Sequence, residues 1–505
     1  MYRTAIKTVI IFSFLCSFLS AMGHPQFGER PRLVVGIVVD QMRWDYLSRY
    51  YGQFGDGGFR RLIDGGYSCN NCLINYLPTI TAIGHTSAYT GTSPAFHGIC
   101  GNNFFIDGKK TYCTSDSTVN TVGAEGNRGK HSPHNLLATT IGDQLRLHTD
   151  FRSRVVGVSF KDRAAILPAG HSANAAYWLD TKNLCFVSST YYMEELPEYA
   201  KQVNAAIAKN KEARKAGERI GYTPLCGTLT TDMAIAALRG ERLGCRETTD
   251  MLCVSYSETD IIGHEWGTRG EHTDKAYTEL DKDLARLLEA IDEQVGKGNY
   301  LLFLTADHGA AHNWNFMREH NMPAGPLMVD SLKNAMEKRI KATMNCEKPV
   351  ILGIADYRIF LDRNSIRQQG LDLQKVKDTI IDLLRTEQGV MTAVDLEHAR
   401  TAPLPQLILD RILMGYHPRR SGDIIFIPEP QYYYWWKNAT YTHTTHGEWN
   451  PYDAHIPLLF YGWNISHGAT SREVHITDIA PTICQLLHIQ QPNACTGEAI
   501  VEIAG

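Results

Sequence analysis

Asp307 and His308 stand side by side after the apolar run Leu301-Leu-Phe-Leu-Thr-Ala306, directly before Gly309. A hard carboxylate and a borderline imidazole, delivered together by a buried strand, are donors that favour zinc and, less strongly, manganese or iron. Other segments repeat the design far away in the chain. Asp40 ends Leu33-Val-Val-Gly-Ile-Val-Val39, Asp260 and His264 follow Met251-Leu-Cys-Val-Ser-Tyr256, and His446 stands in Thr444-Thr-His-Gly447. The spacing of Asp260 and His264 puts them on one face of a helical turn. Neighbouring residues at a strand end point in different directions, so Asp307 and His308 suit two adjacent ions better than one. Together these residues can build a two-metal hydrolytic site.

A hydrolase of this kind needs a nucleophile. Leu77-Pro-Thr-Ile-Thr-Ala-Ile-Gly-His85 is turn-rich and carries two threonines. A hydroxyl attacks at neutral pH only when a metal or base activates it. Thr79 or Thr81 could equally cap a helix, and chemistry alone does not choose. Phe160-Lys-Asp-Arg163 follows another apolar run. In an extended stretch Lys161 and Arg163 point the same way and would hold phosphate oxygens as a point charge and a planar fork. Asn102, in Gly101-Asn-Asn103, offers amide donors; alone it reads as a turn residue.

These residues need a scaffold that gathers them. Apolar, β-rich runs at 33–39, 155–160, 251–256, 300–304 and 457–461 alternate with helical patterns at Pro197–Lys215, Thr273–Val295 and Leu373–Thr386. Strands separated by helices predict a mostly parallel sheet covered on both faces, with ligands at the carboxyl ends of its strands. Asp40, Lys161 and Asp307 each fall at or just past such an end. The segment 326–440 breaks this rhythm. It carries the strand-like runs Val350–Ile354 and Asp423–Ile427 and reads as an inserted α+β cap. Its aromatic tract Gln431-Tyr-Tyr-Tyr-Trp-Trp436 either touches substrate or packs cap against core.

The 505 residues carry a net charge of −4, which argues against a nucleic-acid partner bound through bulk charge. The N-terminus reads as a secretory signal over 1–23: Arg3 and Lys7, an apolar stretch from Val9 to Leu19, then small residues around Ala21 and Gly23. The stretch is short for a membrane span, and no second one exists. A periplasmic or secreted protein is therefore expected, with core segments 24–325 and 441–505 on either side of the cap. Export permits disulfides among the eleven cysteines other than Cys16, without fixing their pairing.

Taken together, these segments resemble the alkaline phosphatase superfamily, in its single-threonine, Bacteroidetes-type branch related to nucleotide pyrophosphatase/phosphodiesterases. The matching motifs are Val38-Val-Asp-Gln41, Pro78-Thr-Ile-Thr-Ala-Ile-Gly-His85, Tyr89-Thr-Gly91, His97-Gly-Ile99, Lys161-Asp-Arg163, Thr259-Asp-Ile-Ile-Gly-His264, Thr305-Ala-Asp-His-Gly309 and Thr444-Thr-His-Gly447. The resemblance implies a three-layer α/β/α sandwich and two zinc ions per chain. It assigns Asp260, His264 and His446 to one zinc, and Asp40, Asp307, His308 and the nucleophile Thr81 to the other. Asn102, Lys161 and Arg163 map to the phosphate-binding positions. The implied activity is hydrolysis of small phosphate monoesters through a phosphothreonine. A monoester offers three non-bridging oxygens to the basic pair and a diester fewer, which favours the monoesterase over a phosphodiesterase on the same fold. A sulfatase would need a C/S-x-P-x-R motif, and the chain has none.

Overall fold

The structure is a computed structural model that describes residues 30–435 and 438–504. The expected signal segment 1–23 and Trp436 lie outside the described residues. A ten-stranded sheet forms the centre of the molecule. Its middle runs in the order Leu458–Gly462, Tyr300–Thr305, Leu33–Val39, Asp250–Tyr256, Val155–Ser159, Ala175–Asp180. Leu33–Val39 pairs in parallel with both neighbours, setting Val38 opposite Ser255 and Thr305. Every residue of Leu33–Val39, Asp250–Tyr256 and Tyr300–Thr305 is buried. Continuous rather than alternating hydrophobicity is what a sheet covered on both faces requires.

Two neighbouring residues show how the layers lie. Ser255 Oγ meets His85 on the helix Thr81–Thr90, while the Tyr256 hydroxyl meets Thr231 on the helix Leu225–Gly240. Successive strand residues point to opposite faces, so these helices cover opposite sides of the sheet. Helix Asp162–Ala169 packs against Thr81–Thr90, and Glu271–Val295 against Leu225–Gly240. The fold is thus a mixed α/β architecture around a mostly parallel sheet.

All five expected strands are present within one or two residues of their expected ends. The helical pattern at Pro197–Lys215 is two helices, Glu198–Lys209 and Lys211–Ala216, because Asn210 leaves the helical conformation and caps the second. Of these five strands, one departs from the parallel expectation. Leu458–Gly462 runs antiparallel to Tyr300–Thr305, with Leu458 opposite Thr305. The chain entering it therefore arrives at the carboxyl edge of the parallel strands, which brings the loop holding His446 to the same edge as Asp40 and Asp307.

Within 326–440 a separate four-stranded antiparallel sheet runs Ile351–Ala355, Arg358–Leu361, Ile424–Pro428, Val390–Asp395. It has its own apolar cluster, with Met336, Ile359, Ile380 and Phe426 fully buried. The aromatic tract is largely packing: Tyr434 stacks on Tyr357 at 4.2 Å, and the buried Tyr433 hydroxyl meets the Trp314 N–H and the His443 carbonyl. The eleven described cysteines are all free thiols.

Candidate active site

Thr81 opens the helix Thr81–Thr90 and is 1 % exposed. The N-cap is Ile80, so neither threonine caps the helix. The two are nonetheless sharply distinguished. Thr79 faces away from the site, where its hydroxyl donates to the Glu448 carbonyl at 3.0 Å and accepts from the Gly447 N–H at 3.1 Å. Thr81 Oγ1 lies 3.3 Å from His308 Nε2. Asn102 reaches the same helix end, its Oδ1 accepting from the Ala82 N–H at 3.1 Å, which leaves the amide nitrogen as the available donor.

The expected metal-binding residues converge in two groups. Asp260, His264 and His446 bring one donor atom each within 4.8 Å of one another, and so do Asp40, Asp260 and His308. Asp260 stands between the groups. The rings of His308 and His446 stack across them with centroids 3.5 Å apart. Asp307 Oδ2 is 3.3 Å and Asp40 Oδ1 3.6 Å from His308 Nε2. Asp40 Oδ1 has no hydrogen-bond partner, and Asp307 Oδ2 has only the His85 imidazole beside it, at 3.2 Å. Two desolvated carboxylate oxygens aimed at one imidazole nitrogen would be costly without a cation, so the donor set fits a divalent metal. The remaining imidazole nitrogens are anchored as such ligands require. His264 Nδ1 meets the Thr444 carbonyl at 2.8 Å, His446 Nδ1 the Thr79 carbonyl at 2.7 Å, and His308 Nδ1 the Gly309 carbonyl at 3.0 Å.

Lys161 is placed differently from expectation. Its Nζ bridges Asp40 Oδ2 and Asp260 Oδ2, at 2.6 Å from each. The segment is not extended either: Lys161 is the last extended residue, and Asp162–Ala169 is helical. Arg163 consequently turns onto Tyr112, donating to its hydroxyl at 2.9 Å. The shared lysine leaves the two carboxylates electrostatically unequal. Burial and the neighbouring Asp307 push Asp40 well above the usual carboxylate range. Burial acts the same way on Asp260, but His264 and Lys161 outweigh it and hold Asp260 well below that range. Burial drives the His446 imidazole far down, with His308 adding to it, so His446 is neutral and able to ligate.

Residues 34–449 match the family described as Type I phosphodiesterase / nucleotide pyrophosphatase. The chain belongs to this family. Among its curated relatives, alkaline phosphatase PafA of Elizabethkingia meningoseptica is 41 % identical, covering 94 % of this chain and 95 % of the relative. A protein of Myroides odoratus named calcium-transporting ATPase is 40 % identical, covering 98 % and 99 %. Alkaline phosphatase PhoV of Synechococcus elongatus is 41 % identical, covering 95 % and 94 %. The crystal structure of wild-type PafA superposes with a TM-score of 0.90 over 94 % of this chain and 99 % of that one.

The residues expected to bind metal and to attack are brought together, and two further residues inside the same motifs join them. Gln41 directly follows Asp40 with φ of 65°, a conformation that costs a non-glycine residue about 1 kcal/mol or more. It turns the Gln41 N–H onto Asp307 Oδ1 at 3.1 Å and sends Nε2 to Asp260 Oδ1 at 2.7 Å. His85, one turn beyond Thr81, is fully buried with Nδ1 3.2 Å from Asp307 Oδ2. Neither contact has a local signature, because both partners lie hundreds of residues away. Asp453 was also passed over. It accepts from Gly447 N and Glu448 N at 2.8 and 2.7 Å and so shapes the turn that presents His446.

Proposed function

We propose that this chain is a phosphomonoesterase with two zinc ions that hydrolyses small phosphate monoesters through a phosphothreonine on Thr81. The observation that carries this is the place of Thr81 Oγ1. It sits at a helix N-terminus, 3.3 Å from His308 Nε2, which Asp307 Oδ2 and Asp40 Oδ1 also face at 3.3 and 3.6 Å. The names of PafA and PhoV add weight to the monoester reading.

Asp260, His264 and His446 would hold one ion, and Asp40, Asp307, His308 and Thr81 the other. Zinc bound there supplies Lewis acidity, lowering the pKa of the attacking hydroxyl and stabilising charge on the leaving oxygen. Thr81 Oγ attacks phosphorus as the ester oxygen departs, and water then cleaves the new phosphorus–oxygen bond to release phosphate. The N-terminus of the Thr81–Thr90 helix favours the phosphoryl group electrostatically, and the Asn102 amide donates to one of its oxygens. Arg163 is anchored on Tyr112 with its Nε still unpartnered, and Lys161 moves from the carboxylates toward substrate oxygens. The segment 326–440 serves as a cap. Its Asp356-Tyr357 turn lies against both the Asn102 loop and the His446 loop, since a Cβ on Gly101 would meet Asp356 Oδ2 at 2.3 Å and one on Gly447 would meet Tyr357 at 2.8 Å.

The family description favours a second reading, a phosphodiesterase. One experiment separates the two: hydrolysis of an aryl phosphate monoester, the matching diester and a sulfate ester, before and after metal removal. Monoester turnover far above diester turnover, lost with a chelator and restored by zinc, is the expected result. Diester preference overturns the reading. Export is part of the proposal, and the N-terminal sequence of the mature protein tests it. Among the described residues, no helix is long and apolar enough to cross a membrane.

A further inference from the structure

Beneath the site lies a chain of buried polar groups that the reaction itself does not use. The Lys161 N–H donates to Ser159 Oγ at 3.2 Å. Ser159 Oγ is 3.1 Å from Ser257 Oγ, Ser257 Oγ is 3.3 Å from Ser255 Oγ, and Ser255 Oγ is 2.7 Å from His85 Nε2. At the far end His85 Nδ1 lies 2.9 Å from the Thr81 carbonyl oxygen and 3.2 Å from Asp307 Oδ2. His85, Ser159 and Ser257 are fully buried and Ser255 is 1 % exposed. The chain crosses three elements. Ser159 and Ser255 are register partners on adjacent parallel strands, and His85 rises from the nucleophile helix above them.

The chemistry of the two ends fixes the direction of the protons. A peptide carbonyl and a carboxylate only accept, so His85 Nδ1 must carry the hydrogen. In the neutral imidazole Nε2 is then the acceptor and Ser255 its donor. Ser257 donates to Ser255, Ser159 to Ser257, and the backbone of Lys161 to Ser159. Every hydroxyl gives once in the same direction, and such aligned bonds polarise one another in a low-dielectric interior.

The consequence falls on one oxygen. Asp307 Oδ1 is held by the backbone N–H groups of Gln41 and His308, at 3.1 and 3.0 Å. Asp307 Oδ2 faces His308 Nε2, and the imidazole of His85 lies beside it. We propose that His85, its tautomer set by the Thr81 carbonyl and its ring anchored by Ser255, is a positioning residue that holds the Asp307 carboxylate and the first turn carrying Thr81 in one fixed relation. The proposal rests on the di-zinc reading above and deepens it. His85 touches neither substrate nor metal; it acts through Asp307.

Side-chain geometry supplies the test. Asparagine at this position places its amide nitrogen where the imidazole has Nδ1, whereas glutamine reaches toward the place of Nε2. Wild-type, H85N, H85Q and S255A proteins are loaded with zinc. Each is assayed for zinc retention against a competing chelator, for kcat and KM on an aryl phosphate monoester, and for thermal midpoint. H85N is expected to stay within about threefold of wild type in zinc affinity and kcat. H85Q is expected to lose about 10- to 100-fold in both, with KM little changed, the range typical of groups that orient metal ligands. S255A should fall between, at about three- to tenfold. Equal impairment of H85N and H85Q, or wild-type behaviour of H85Q, overturns the proposal. If the His85 variants do not fold, S255A decides alone: unchanged zinc retention rejects the chain and weakened retention supports it. Zinc retention needs no substrate. A wild-type protein that keeps zinc but cleaves no monoester would therefore reject the proposed function while leaving this test intact.

Discussion

The Lys161 ammonium lies 2.6 Å from Asp40 Oδ2, on the side of that carboxylate away from His308, and an equal distance from Asp260 Oδ2. One lysine thus pairs with a carboxylate from each candidate metal-binding group, leaving Asp40 Oδ1 facing His308 and Asp260 Oδ1 facing His264 and the Gln41 amide. Two effects follow when Lys161 is replaced by alanine. Monoester kcat/KM falls by about a hundredfold or more, the usual loss for a donor that stabilises transition-state charge, and diester hydrolysis falls far less. Zinc is held as tightly as in wild type or more tightly, because Asp40 and Asp260 lose their competing cation. Parallel assays of both esters, with chelator competition on the same samples, check this. Weaker zinc binding in the variant would show that the lysine organises the carboxylates rather than competing at them.

The two threonines give a sharper contrast. Thr81→Ala removes the oxygen proposed to attack, and kcat is expected to fall about a thousandfold or more with the fold intact. No phosphorylated peptide should then appear after acid quenching with labelled monoester. Thr79→Val instead removes the hydroxyl that joins Gly447 N to the Glu448 carbonyl. It should destabilise the protein by about 1–3 kcal/mol, the cost of taking the donor from the buried Glu448 carbonyl, while the Gly447 N–H keeps Asp453. Wild-type phosphopeptide in Thr81→Ala protein would remove Thr81 from the mechanism.

How much of this was legible beforehand depends on the range over which each feature is specified. The central strands are written locally, as unbroken apolar runs such as Leu33–Val39, and so were visible. Asp40, Asp307 and Lys161 stand at the ends of those runs, and the topology of a parallel sheet brings such ends together. The direction of Leu458–Gly462 was not visible, because an antiparallel strand buried on both faces has the same composition as a parallel one. The bend of Arg163 onto Tyr112 was missed for a related reason. Alternation of side chains was applied past the point where helix Asp162–Ala169 begins. Gln41, His85 and Asp453 act through contacts that exist only once distant segments meet.

A buried histidine outside the candidate metal-binding groups makes a prediction about acid. Burial, aided by His417, holds the His97 imidazole down at about 3, and its Nδ1 accepts from the Ile99 N–H at 3.1 Å. The unfolded chain takes up this proton near the ordinary value of about 6.5. Between those values the unfolded state binds more protons, so the contribution of His97 is complete above pH 6.5 and is lost as pH falls toward 3. His97→Asn keeps an acceptor near Nδ1 without titrating. The stability gap between wild type and this variant should narrow by about 1.4 kcal/mol per pH unit below 6.5. Urea unfolding at pH 8, 6 and 5 measures it, and a gap constant with pH would contradict the neutral buried state.

Two glycines separate stability from function. A Cβ on Gly84 would lie 2.2 Å from the Asp307 carbonyl oxygen, and backbone so close cannot yield. Gly84→Ala should therefore cost several kcal/mol and displace Asp307, and the protein should melt early and bind zinc poorly. A Cβ on Gly263 would lie 1.9 Å from Gln41 Oε1, the end of a side chain that can swing aside. Gly263 also lies inside the helix Glu258–Trp266, where alanine is favoured over glycine by about 1 kcal/mol. Gly263→Ala should keep or raise the melting temperature. It should also release the Gln41 amide from Asp260, which it reaches at 2.7 Å. Zinc affinity and kcat are then expected to fall about tenfold, as for other groups that orient a metal ligand. A variant both as stable and as active as wild type would show that Gln41 contributes nothing to Asp260, and the strained backbone at Gln41 would need another explanation.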